Sequence, residues 1–84
     1  MTTANAIDLT KLHQLVPEMT PKQKDCLLLW ILGLSIESIA TENGVSQITV
    51  RKHLDAARNS MGGVPLSSLR TIILLRMFAL LIKE

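Results

Sequence analysis

The chain is 84 residues long, the size of one small domain and too short for a two-lobed enzyme. Hydrophobic residues make up 48% and charged residues 19%, which excludes a disordered, solvating chain. The only aromatics, Trp30 and Phe78, are too few for a base-stacking sheet or an aromatic cage. One cysteine, Cys26, excludes a disulfide framework within the chain and a multi-cysteine zinc site. The net charge of +2 is unevenly spread: residues 1–45 sum to −2 and residues 46–84 to +4. Such an asymmetry points weakly towards nucleic acid.

In chain order, Leu9, Leu12, Leu15 and Val16 recur near the helical period, with Asp8 as a cap and Pro17 as a stop. Together they predict a short helix over 8–16. Thr20-Pro21-Lys22-Gln23 is a helix start. Thr20 caps, Pro21 suits the first helical position, and Gln23 stands where a capping box needs it. The apolar run Cys26–Leu32 follows, and Gly33 ends it. Ser35 caps a second helix with Glu37 in its first turn and Ile36, Ile39 and Ala40 facing inward. Asn43-Gly44 breaks that helix, and Ser46 caps the next after three residues, the spacing of a helix-turn-helix.

The helix after Ser46 has two faces. Val50, Leu54, Ala57 and Met61 form one apolar stripe, and Gln47, Arg51, Lys52, Asp55, Arg58 and Asn59 lie outside it. Gly62-Gly63 closes it, and Pro65 or Ser67 opens a last helix over roughly 66–82. From Leu66 to Ile82 no continuous polar face remains, more apolar surface than a domain this small covers by itself. A partner helix is the simplest cover. A membrane span is the weaker reading, because it needs about 20 apolar residues and Arg76 interrupts the run. The 8–16 segment is expected to cover part of this last helix, with dimerisation or the docking of another protein as the alternative.

From Met19 to about Met77 the sequence resembles the DNA-binding domain of the LuxR/FixJ/GerE family of bacterial regulators. The resemblance is carried by Met19-Thr20-Pro21-Lys22-Gln23, Gly33-Leu34-Ser35, Ile39-Ala40, Val45 to Leu54, and Met61-Gly62. It implies an all-α domain of four to five helices with a central helix-turn-helix (residues 20–62) and a C-terminal dimerisation helix (66–82). It also implies a stand-alone effector in a single domain over 1–84, without receiver or sensor. In the family the triplet matched by Thr49-Val50-Arg51 enters the major groove. The resemblance therefore implies base-edge contacts from Arg51 and Lys52. Asp55 stands where some members carry another DNA-touching base, and there it would accept from a cytosine amine. The resemblance implies phosphate contacts from Ser46, Gln47, Thr49 and His53. Arg58 shares the outer face with Arg51 and Lys52 and is expected to meet phosphate. The dimer contact is expected from Leu69, Ile72, Ile73, Met77, Phe78, Leu80 and Leu81. Three departures stand against the family pattern: Asp55, Ser38 in place of the usual Glu, and the long link Gly62–Leu66. Leu54-Asp55-Ala56-Ala57-Arg58 resembles region 4 of a sigma factor instead, a rival within the same fold that the apolar last helix fits less well.

Catalytic chemistry finds no support. No Gly-rich phosphate loop or paired carboxylates are present, and Cys26, His13 and His53 lack metal-ligand spacing. Cys26, in an apolar helix with no base motif nearby, is expected in the core. No enzyme, cofactor or metal is expected. The expectation is a transcription regulator of the cytoplasm and nucleoid. It binds duplex DNA as a homodimer, with RNA polymerase or another regulator as a further partner. The alternative is a protein-interaction module that modulates a larger regulator by heterodimerising through the last helix.

Overall fold

The computed structural model describes residues 12–82. Within them a 3-10 turn, His13–Leu15, is followed by four helices: α1 (Pro21–Ile31), α2 (Ile36–Asn43), α3 (Gln47–Ser60) and α4 (Leu66–Ile82). The described residues form no strand, so the domain is all-α. The helix expected over 8–16 lies partly outside the described residues. Its described part holds the 3-10 turn and the buried pair Leu15 and Val16.

The first three helices begin where a side chain satisfies a free amide. The Thr20 hydroxyl accepts from the Gln23 amide, and the Gln23 side chain accepts from the Thr20 amide, closing the capping box. Ser35 accepts from Ser38 N, and Ser46 accepts from Thr49 N. The ends are equally local. After α2, Gly44 sits at φ 65° and Val45 N donates to Ala40 O at 3.0 Å, a Schellman-type close. Pro65 O accepts from Leu69 N and so opens α4.

α1 is the central post, with Cys26, Leu27, Leu28, Leu29 and Ile31 all buried. α3 lays Val50, Leu54 and Ala57 on it, α2 adds Ile39 and Ala40, and Met61 packs at the edge of this core. α4 contributes Leu69 and Ile73, both with no exposed surface. The turn 13–15 closes the far side. Arg76 Nη1 donates to Leu15 O at 2.7 Å, and Arg76 forks onto Glu18 at 3.1 and 3.2 Å. The segment before α1 therefore does cover part of α4.

The rest of α4 is uncovered. Its outer face is polar at Ser67, Ser68 and Thr71, then turns apolar. Leu74, Leu75, Phe78, Leu80, Leu81 and Ile82 are exposed, Phe78 at 57% and Leu81 at 71%. The residues expected at a dimer contact divide accordingly. Leu69 and Ile73 are spent on the chain's own core, and Ile72 and Met77 are half-buried. Of the expected set, Phe78, Leu80 and Leu81 are open to a partner, and Leu74, Leu75 and Ile82 join them. No helix among the described residues is long and apolar enough to cross a membrane.

Candidate nucleic-acid interface

α2, the three-residue turn Gly44–Ser46 and α3 form the helix-turn-helix. The turn is tight because Gly44 takes the left-handed conformation without steric cost, while Val45 tucks against the core. With its apolar stripe on α1, α3 shows solvent a continuous face of Gln47, Ile48, Arg51, Lys52, Asp55 and Asn59. Its first turn points its free amides and positive dipole end outward beside Ser46 and Gln47, which favours an anion there.

Charge on this face is set by pairing. Six bases make the second half of the chain positive, but three of them are engaged internally. Arg76 holds Glu18, and Arg70 stacks 4.1 Å from the centre of the Trp30 ring. Arg58 donates from Nε to Val64 O at 2.9 Å, from Nη2 to Gly63 O at 3.1 Å, and from Nη1 to Asp55 Oδ1 at 2.8 Å. Lys83 lies outside the described residues. Arg51 and Lys52 remain, exposed and with no carboxylate among the described residues in ion-pair range.

The expected contact set divides on this geometry. Arg51, Lys52 and Gln47 project together from the outer face. Ser46 and Thr49 stand at the helix start with their hydroxyls hydrogen-bonded to each other at 3.0 Å. His53 is half-buried on the flank, where it lines a cleft of about 160 Å³ with Lys22, Asp25, Cys26, Asn43 and Val45. Two members of the set are engaged with each other: the Arg58 guanidinium donates to the carbonyls of Val64 and Gly63 and to the Asp55 carboxylate.

Sequence reasoning missed two residues. Ile48 is 67% exposed on the outer face, four residues before Lys52 and seven before Asp55, a spacing that would have placed it there. Lys22 lines the same cleft as His53, a grouping that the packing of α1 on α3 creates.

Burial pushes the Cys26 thiol above its ordinary value, opposed by the Asn43 amide that donates to its sulfur. A thiol held neutral and out of solvent is a poor nucleophile, and it serves as a small core residue. The Arg76 guanidinium hydrogen-bonded to Glu18 holds that carboxyl below its usual range.

The fold and this face define a helix-turn-helix DNA-binding domain. The family model "Sigma-70, region 4" matches residues 9–61, more than half of the chain. The chain belongs to the sigma-70 region 4 family, a DNA-binding family of transcription and not an enzymatic one. The match supports the helix-turn-helix common to both resemblances, and it falls on the sigma type rather than on the LuxR/FixJ/GerE type. No curated protein and no solved structure matches the chain.

Proposed function

We propose that the chain is a small transcription regulator that binds duplex DNA by laying α3 in the major groove. The observation that carries this reading is the pair Arg51 and Lys52, exposed and without an ion-pair partner among the described residues, on the outer face of a helix-turn-helix from which the other described arginines are tied back. The major groove admits a helix, and residues near that helix's start reach deepest. On this reading Arg51 forks onto guanine O6 and N7, Lys52 meets phosphate or a second base, and Ile48 meets a thymine methyl. Ser46, Gln47, Thr49 and His53 flank them for backbone phosphates, with Lys22 beside His53.

Two copies meet through the exposed end of α4, as the LuxR-type resemblance implies. Leu74, Leu75, Phe78, Leu81 and Ile82 supply an uncharged apolar patch. A two-fold pair reads an inverted repeat, with half-sites about one helical turn apart. Membership of the sigma-70 region 4 family supports core RNA polymerase as a further partner, in the cytoplasm and nucleoid. The uncovered α4 also supports a second reading, a module that pairs with a larger regulator instead of with itself.

Fluorescence anisotropy of the pure protein against labelled mixed-sequence duplex, repeated across salt, tests the reading. Affinity that falls as salt rises reports phosphate neutralisation. A folded sample that binds no duplex at low salt would favour the interaction module.

A further inference from the structure

We propose that Arg58 is a positioning residue for the reading face: it holds the Asp55 carboxylate and so leaves Arg51 unpaired for DNA. The inference rests on α3 being the DNA-reading helix and adds a role for a residue that does not itself touch DNA.

Asp55 has two cationic neighbours on α3. Arg51 precedes it by four residues and Arg58 follows it by three, and both spacings bring side chains together on a helix surface. Only one of these pairs forms. Arg58 Nη1 lies 2.8 Å from Asp55 Oδ1, and Arg51 has no such contact. The choice has a structural cause. Arg58 Nε and Nη2 donate to the carbonyls of Val64 and Gly63, and the Gly63 amide donates to the Arg58 carbonyl at 2.8 Å. The guanidinium is therefore fixed before it meets Asp55. Arg51 would have to give up side-chain freedom to form the same pair.

An exposed pair is weak largely because two flexible side chains must be ordered together. Here one partner is already ordered by the loop, and the competition goes to Arg58. The rigid fork of arginine lets one residue hold the carboxylate and both carbonyls at once. Gly62 and Gly63, both at positive φ, bring those carbonyls within reach. The acid on the DNA-facing surface is thereby neutralised, and it is kept from capturing the arginine that precedes it.

The test is duplex affinity, measured by anisotropy across salt, for the wild type, Arg58→Ala, Asp55→Ala and the double variant, each checked for folding by thermal melting. Arg58→Ala is expected to weaken binding about tenfold, because Asp55 is then free to capture Arg51 four residues before it. Asp55→Ala placed on Arg58→Ala restores affinity to within about twofold of Asp55→Ala alone, because nothing then competes for Arg51. A double variant that falls below Asp55→Ala by about the same tenfold overturns the proposal, since the loss of a direct phosphate contact or of a merely structural arginine does not depend on Asp55.

Should Arg58→Ala not fold, an Arg51→Ala and Asp55→Ala cycle with Arg58 in place decides. The proposal requires their effects on affinity to add within about twofold. A coupling of about tenfold would mean that Arg51 and Asp55 already pair, which overturns it. A folded wild type that binds no duplex would instead remove the DNA reading itself.

Discussion

On the proposed reading, sequence discrimination turns on Arg51, whose guanidinium is exposed on the outer face of α3 and is paired with no carboxylate among the described residues. Its replacement by alanine is expected to cost about 1–3 kcal/mol of binding to a selected site and to relax preference at one base pair. Competition against single-base variants of that site reads both effects. Unchanged affinity and unchanged preference would contradict the assignment.

Glu18 offers a separate test away from DNA. Its carboxyl is held below the ordinary 4.5 by hydrogen bonding to Arg76. The stability it contributes is therefore complete above that ordinary value and is lost as pH falls through the lowered folded value. Glu18→Gln should melt below wild type near neutral pH, and the gap should close in acid. A gap that persists unchanged in acid would mean that the charge of Glu18 is not what matters.

At the scale of the element, the chain was most legible where structure is local. Thr20 with Gln23, Ser35, Ser46 and Gly44 mark helix ends through contacts with residues only three to five positions away, and the structure places those ends within a residue or so of where the sequence did. The stripe Val50, Leu54 and Ala57 was equally plain from its period. The engagements of Arg58 and Arg76 were not. Arg58 depends on the path of the Gly62–Pro65 link, and Arg76 on a partner 58 residues away. Charge counting treated them as available cations, and only the fold withdraws them. The turn within the helix-turn-helix gives the prediction at this scale. Gly44 at φ 65° has nothing within 4 Å of where a side chain would start. Gly44→Ala is therefore expected to cost about 1–2 kcal/mol through backbone strain alone. Chemical denaturation should show that loss, and a neutral result would contradict the left-handed geometry.

Over the whole molecule, the arrangement separates two surfaces. α3 presents polar and cationic groups and the end of α4 presents uncharged apolar ones; the proposed reading gives the first to DNA and the second to another protein. The sequence showed that α4 was too apolar to be covered. It did not show which residues the chain keeps for itself, because Leu69 and Phe78 look alike until α3 and the 13–15 turn are packed on α4. Phe78→Glu is expected to leave the fold intact, since Phe78 is 57% exposed, and to convert a dimer to a monomer in sedimentation. Leu69→Ala is expected to cost about 2–5 kcal/mol of stability through the cavity it leaves. A wild type that sediments as a monomer would remove the homodimer and turn the search to a different partner for α4.

The central claim is that α3 meets DNA through the two cations the fold leaves unpaired. The measurement that tests it most directly is the slope of log affinity against log salt for duplex DNA, compared between wild type and the Arg51→Ala/Lys52→Ala variant. With Arg51 on a base edge and Lys52 on a phosphate, the variant binds more weakly and its slope is shallower by about 0.9. Equal slopes from two folded proteins would place the DNA contact elsewhere on the molecule and contradict the account.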